Sequence, residues 1–266
     1  MRKKGTTKLK DFDYSNKKDF IIQFLDRTAK FDLSDAYTRK WFLPRYDFGK
    51  IHEPLMVKFM CRILKPDDVF LDLGAHVGYF SIIGGMLCKE VYAFEIDDNC
   101  IPIIKQNIAY NKLNNITVVN KAVSDTNGDK LKISVFDTPN TTLSIRHNPK
   151  KEEFKIVETI TLSKFCQEKA IKPSLIKVDI EGAEYHALLG MEELLRSLDN
   201  LKVLLEVHPR QLKASKINSK IIVEFINDLG YQVHFFGSHR NNPSSSQKRV
   251  NPKEILENNT MFLIKR

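Results

Sequence analysis

The stretch that decides the fold is residues 69–81, Val-Phe-Leu-Asp-Leu-Gly-Ala-His-Val-Gly-Tyr-Phe-Ser. A short apolar run ends near Asp72, turns through Gly74 and Gly78, and enters a second apolar segment. The pattern predicts a strand, a glycine turn and a helix N-terminus, the arrangement with which an α/β sheet holds a small ligand at the carboxyl ends of its strands. About twenty residues further on, Tyr92-Ala-Phe-Glu95 reads as a second strand ending in a carboxylate. A carboxylate accepts hydrogen bonds only, and this one is placed to take them from two ribose hydroxyls. The ligand is expected to be a nucleoside.

Which nucleoside follows from what the turn lacks. A dinucleotide site shows Gly-x-Gly-x-x-Gly, because the backbone must come close to a pyrophosphate. Here Ala75 and His76 stand where the middle glycine matters, and no Gly-x-x-x-x-Gly-Lys-Ser/Thr phosphate loop is present. A nucleoside without phosphates fits, and S-adenosylmethionine is the common one. Its amino-acid end would sit by the turn while Glu95 takes the ribose. Asp72, in a buried strand, must be paired or hydrogen-bonded. The turn's own N–H groups are its expected partners, with indirect contact to the ligand.

Working outward, strands 69–73, 90–95 and 115–120 alternate with helices 78–87 and 99–111, and the short links argue for a parallel sheet covered by helices. Between 126 and 162 the texture changes. Asn127-Gly128 marks a turn, Leu131, Ile133 and Val135 alternate with polar residues, and Phe154, Ile156, Val157 and Ile160 suggest a partner strand. This reads as an inserted antiparallel hairpin. The parallel core resumes with strand 174–179, helix 183–197, strand 202–208, helix 217–229 and strand 231–236, and a final strand covers 260–265. Residues 237–255 are polar and read as a mobile loop. Upstream, Phe20, Ile21, Phe24 and Leu25 have helical spacing within Asp19–Thr28, and His52–Leu64 repeats that pattern with Pro54 in its first turn.

A chain of 266 residues, 42% hydrophobic, suits one large α/β domain. Of the formal charge of +9, a conspicuous share falls on Arg2, Lys3, Lys4, Lys8 and Lys10, read as a solvated basic tail. Cys61, Cys88, Cys100 and Cys166 have neither zinc-ligand spacing nor the density of a disulfide framework, and read as reduced cysteines. The charged N-terminus has no apolar run behind it, and the longest near-apolar stretch, Tyr79 to Cys88, is too short to span a bilayer. A cytoplasmic protein without a transmembrane segment is expected.

The second unusual segment is Ile176-Lys-Val-Asp-Ile-Glu-Gly-Ala-Glu184. Lys177 lies inside an apolar run and needs a counter-charge, for which Asp179, on the same strand face, is the natural partner. Gly182 permits a sharp strand-to-helix turn, and Glu184 falls in the first helical turn, where the dipole favours an acid. Carboxylates at the carboxyl edge of a parallel strand are candidates for acid–base work or substrate orientation, which singles out Asp179, Glu181 and Glu184. The next strand ends Leu205-Glu206-Val207-His208, placing Glu206 and His208 on one face at the same rim. A histidine titrating near pH 7 can take a proton from a hydroxyl. No zinc-protease spacing occurs, and the expectation is a site without metal.

Together the two segments resemble the FkbM-type methyltransferases, class I enzymes that use S-adenosylmethionine. The resemblance rests on Glu53-Pro54, the turn Leu71 to Gly78, Phe94-Glu95, Asn107 or Asn111, Ala122-Val123-Ser124, the Lys-x-Asp-x-Glu-Gly-x-Glu element from Lys177 to Glu184, and Glu206-x-His208, so it spans roughly residues 50–210. It implies a three-layer, Rossmann-like α/β fold with a seven-stranded, mostly parallel sheet and an antiparallel last strand. It also implies O-methylation of a hydroxyl on a small molecule or saccharide. Cofactor contacts are expected from Glu53, Asp72, Gly74, Ala75, His76, Gly78, Glu95, Ile96, Asn120 and Ala122. Acceptor-side chemistry is expected from Lys177, Asp179, Glu181, Glu184, Glu206 and His208. Two departures stand out: His76 replaces the family's asparagine, and Lys121 cannot accept a bond from the adenine amino group, which leaves Asn120 or Asp125 for that contact. The expected division is a basic tail and cap or lid over 1–50 and a methyltransferase domain over 51–266, with the insert 126–162 and the loop 237–255.

Two other readings compete. The bases and aromatics of residues 37–48 could track an RNA strand, making nucleic acid the less favoured acceptor. A nicotinamide-dependent oxidoreductase also carries a strand-end acid for ribose, but the pyrophosphate glycine pattern is missing.

Overall fold

The computed structural model describes residues 18–34, 38–39, 53–135, 153–235, 248–253, 256 and 261–266. The basic tail, nearly all of the aromatic-basic stretch 37–48, the tip of the insert and most of the loop 237–255 lie outside them.

The decisive stretch folds as its residues dictate. β3 (Val69–Leu73) is buried at every position, the mark of a strand covered on both faces. After the turn, α2 (Tyr79–Leu87) buries all but one of its residues. Around this unit stand β4 (Glu90–Phe94), α3 (Cys100–Tyr110), β5 (Ile116–Val119), β9 (Leu175–Val178), β10 (Lys202–Glu206), β11 (Gln232–Phe235) and β13 (Met261–Lys265). Strands β5, β4, β3, β9 and β10 lie side by side and parallel. β13 runs antiparallel between β10 and β11, as expected of the last strand. β12 (Lys248–Val250), inside the segment read as a loop, adds an eighth strand at the β11 edge, so the sheet has eight strands where seven were expected. A three-residue, lysine- and arginine-bearing strand is the kind that a sheet edge tolerates.

The sheet separates two cores. On one side α1 (Pro54–Ile63), α2 and an N-terminal hairpin pack against it. On the other lie α4 (Leu162–Lys169), α5 (Glu184–Gly190), α6 (Glu192–Ser197) and α8 (Lys220–Asp228). Helix on sheet on helix is the three-layer arrangement. The insert forms its own small sheet of β6 (Ala122–Val123), β7 (Lys130–Val135) and β8 (Glu153–Ile160), with the expected antiparallel pairing of β7 and β8.

Three further elements differ from expectation. Asp19–Thr28 is not a helix: β1 (Asp19–Phe24) and β2 (Arg27–Asp32) form an antiparallel hairpin. The apolar spacing suits both periods, but burying Phe20, Ile22 and Phe24 while Ile21 faces out satisfies period two. The helix expected over 183–197 is broken at Gly190-Met191 into α5 and α6. Gly190 lies against the Ser124 carbonyl, where a Cβ would come within 1.9 Å of the oxygen, so the backbone of the β6 region occupies the space a side chain would need. α7 (Pro209–Ala214) is a short helix the hydrophobic pattern did not signal.

Candidate active site

Parallel pairing of β3 with β9 brings the two sequence motifs together. Asp72 lies opposite Lys177 and Leu73 opposite Val178, and the Asp179 N–H donates to the Leu73 carbonyl. The glycine turn therefore rests on the backbone of Asp179. A Cβ on Gly74 would lie 2.0 Å from the Asp179 oxygen, and Gly74 has φ +78°, so only glycine fits. Positive φ recurs at this edge in Glu53, His76, Gly78, Glu181 and Gly182. Left-handed backbone at non-glycine residues gathers where a site requires it. Asparagine is among the residues that tolerate that region best, which accounts for the family's preference where His76 (φ 54°) stands here.

Asp72 is bonded differently from expectation. The turn's Gly74 and Ala75 N–H groups donate to the Phe94 carbonyl, not to Asp72. The fully buried Asp72 carboxylate accepts instead from the Ser81 hydroxyl at 2.6 Å and faces the Lys177 ammonium at 3.3 Å. Lys177 stands closer to Asp72 than to Asp179, at 3.7 Å, and also donates to the Gly74 carbonyl, above the Phe80 ring. Burial alone would lower its pKa, but Asp72, Asp179 and Glu53 outweigh burial and push it above the ordinary value. Lys177 thus lies under the turn as a cation, joined to Asp72, Asp179 and the Gly74 carbonyl. Glu53, buried at the start of α1, contributes to its field.

Glu95 closes the other side. One carboxylate oxygen accepts from the Ile96 and Asp97 N–H groups, both at 2.8 Å, and the other accepts from the His76 N–H at 2.6 Å. Burial raises its pKa, and those backbone donors pull it back. With four acceptor positions and three filled, one is left for a ribose hydroxyl, where two hydroxyls were expected. The fit to a nucleoside is retained with a single bond. Asn120 donates to the Glu95 carbonyl at 2.9 Å, and Lys155 from the insert donates to the Ile96 carbonyl at 3.0 Å, fastening the hairpin to this wall. Ala122 and Ile96 pack with Ile133 and Val157 beneath it. Asp125 is engaged by Ser124 and His186, Lys121 by Glu158, and Asn120 by Glu95 and Lys155, so both candidates for the adenine contact are already bonded within the chain.

The acceptor-side residues divide. Asp179, Glu206 and His208 converge, each with a ligating atom within 4.8 Å of the others. His208 Nδ1 donates to Glu184 at 2.6 Å, while Nε2 lies 3.8 Å from Asp179 and 3.9 Å from Glu206. Burial would lower the His208 pKa, but the Glu184 hydrogen bond and the three carboxylates push it up to about 9. The ring is an imidazolium at neutral pH, not the half-protonated base expected from its ordinary value. Glu184 is fully buried and takes the Gly182 N–H as well, so it positions His208. Glu181 turns to α7, where Gln211 donates to it at 2.9 Å, outside the Asp179–Glu206–His208 cluster. Lys155 and Gln211 carried no sequence signal, because each acts on a partner distant in the chain, while Ser81 lies inside the decisive stretch but nothing in the pattern marks its bond to Asp72.

A parallel sheet closed by a reversed last strand, with a glycine turn after β3 and a buried acid after β4, is the class I methyltransferase fold. The family model described as the methyltransferase FkbM domain matches residues 72–233, more than half of the chain, and the chain belongs to that family. Among curated relatives, the uncharacterised protein MJ1452 of Methanocaldococcus jannaschii is 30% identical over 114 residues, 38% of this chain and 44% of the relative. The hexuronic acid methyltransferase AglP of Haloferax volcanii is 25% identical over 154 residues, 58% of this chain and 61% of the relative. The chain thus spans less than two thirds of the length of these relatives. A solved FkbM methyltransferase from Methylobacillus flagellatus is 14% identical, with a TM-score of 0.45 over 78% of this chain and 50% of that one. Among the described residues no helix is long and apolar enough to cross a membrane.

Proposed function

We propose that the enzyme transfers a methyl group to a hydroxyl oxygen of a small molecule or saccharide, with Glu95 on the cofactor side and Asp179, Glu206 and His208 on the acceptor side. The observation carrying this reading is the convergence of those three residues beside the glycine turn. Bound S-adenosylmethionine supplies a sulfonium methyl that an oxygen displaces in line, leaving S-adenosylhomocysteine. The chain's part is alignment, exclusion of water and removal of the hydroxyl proton. Asp179, with its side chain 31% exposed, is the member of the cluster open to an acceptor, and the proton passes to its carboxylate. Glu206 and His208 lie buried behind it, with the His208 imidazolium 3.8 Å from its carboxylate. The family and the hexuronic acid specificity carried in AglP's name support a saccharide acceptor, and the +9 charge favours an anionic one. A cytoplasmic location belongs to the same reading and is supported by four cysteines outside any disulfide.

Calorimetric titration with S-adenosylhomocysteine, with NAD as control, joined to transfer of a labelled methyl to a panel of saccharides, small hydroxylated compounds and RNA, tests this. Saturable binding of the homocysteine nucleoside is expected to weaken at least tenfold in Glu95→Ala. Asp179→Ala is expected to cut turnover on the order of a hundredfold with little change in that binding. The reverse pattern, or labelling of RNA alone, overturns the assignment.

A further inference from the structure

We propose that Asp179, Glu206 and His208 form a binding site for one divalent first-row cation, held by His208 Nε2 and one oxygen of each carboxylate. The distances argue for it. Nε2 stands 3.8 Å from Asp179 Oδ1 and 3.9 Å from Glu206 Oε1, too far for hydrogen bonds. Two atoms that each lie about 2.0–2.2 Å from a shared ion can be up to roughly 4.4 Å apart, so the spacing suits an ion between the side chains better than direct contact. The set is assembled from separate strand ends, β9 and β10, which is why no sequence spacing announced it.

The support behind the histidine is the second observation. Its Nδ1–H is donated to Glu184, which is fully buried and anchored by the Gly182 N–H at 3.0 Å. That bond fixes the ring and directs Nε2 toward the two carboxylates, the carboxylate–histidine arrangement that stands behind metal-ligating histidines. The two Asp179 oxygens are divided: Oδ2 faces Lys177 and Oδ1 faces His208, so one remains for an ion without disturbing the cation under the glycine turn. Glu206 and His208 are buried, while Asp179 is open on the cleft side. Two carboxylates and one imidazole suit Mn²⁺, Fe²⁺ or Zn²⁺, and three protein ligands leave positions open for an oxygen from outside. On the methyl-transfer reading, on which this role rests, the open position would take the acceptor's hydroxyl oxygen and ease loss of its proton to Asp179 Oδ2, the oxygen not bound to the ion. Binding of the ion replaces any proton on Nε2, which leaves to solvent.

The test is titration of the chelator-stripped full chain with Mn²⁺ alone, read by electron paramagnetic resonance, with pulsed measurement of nitrogen coupling to the bound ion. One ion per chain is expected, with a nitrogen coupling that disappears in His208→Ala. Asp179→Asn, at the most exposed ligand and least able to disturb the core, should weaken binding at least tenfold. Glu184→Gln keeps all three ligands and should weaken it about 10–100-fold. Absence of stoichiometric binding below millimolar Mn²⁺, or affinity and nitrogen coupling unchanged in His208→Ala, overturns the site. Titration of the same samples with S-adenosylhomocysteine separates the outcomes. Nucleoside binding without Mn²⁺ binding defeats the cation site alone, and Mn²⁺ binding without nucleoside binding defeats the role given to it.

Discussion

Lys177 is the residue whose placement the rest of the site depends on. An ammonium buried in a central strand is stabilised only by close, well-placed counter-charges, and here they come from the next strand, from two residues along its own strand, and from the start of α1. The same group holds the Gly74 carbonyl, so one side chain joins the strand interior to the turn. Removing one partner of a buried pair costs far more than the pair contributes, because the other charge is left uncompensated. Lys177→Met should therefore destabilise the protein by about 3–5 kcal/mol, read from denaturant unfolding. Adding Asp72→Asn should restore part of that loss, since the stranded carboxylate is then neutral and keeps its Ser81 bond. A loss below about 1 kcal/mol, or strict additivity of the two changes, would show that the pair is solvated and not buried.

At the scale of elements, the N-terminal hairpin is the instructive case. A short segment with apolar residues at 20, 21, 24 and 25 satisfies a helical period as well as an alternating one, and local pattern could not arbitrate. Tertiary contacts do. Phe31 stacks on Tyr79 of α2 at 5.5 Å between ring centres, which an extended β2 allows. Two asparagines of α3 act as clamps: Asn107 accepts from the Asp32 N–H at 2.8 Å and donates to the Val77 carbonyl at 2.9 Å, while Asn111 accepts from the Lys30 N–H and donates to its carbonyl. The asparagines that carried part of the family resemblance therefore tie the hairpin to the helix after the second strand. Asn107→Ala strands a buried carbonyl and frees an N–H, and should cost about 2–4 kcal/mol, with hydrogen-exchange protection lost first in residues 27–32. Uniform loss of protection across the chain, or none, would place the hairpin's anchor elsewhere. Gly190 teaches the same lesson, since the carbonyl that leaves it no room for a side chain is that of Ser124, 66 residues earlier in the chain.

For the whole molecule, the parallel core, the reversed last strand and the inserted hairpin were legible because burial on two faces, period-two alternation and turn residues each leave local marks. The identity of the rim residues was legible too, but their partners were not. Lys177 pairs first across the sheet with Asp72, and His208 sits among three carboxylates from β9, α5 and β10, contacts set by strand register and not by spacing. That grouping makes the stability of the whole fold depend on pH. In the unfolded chain His208 titrates near its ordinary value of about 6.5, and in the fold near about 9. A pKa raised by folding adds stability that is fully present below the unfolded value and is lost as pH rises through the folded one. The window is therefore about pH 6.5 to 9, and the loss across it on the order of 3 kcal/mol. The elements packed on the ring supply three carboxylates, Asp179, Glu184 and Glu206. Denaturant unfolding of the chelator-treated protein at pH 6, 7.5 and 9 should show stability falling with pH, and His208→Gln should flatten the slope. A wild-type curve already flat between pH 6.5 and 9, matching that of the variant, would mean that His208 titrates alike in both states and that the three carboxylates do not hold its proton.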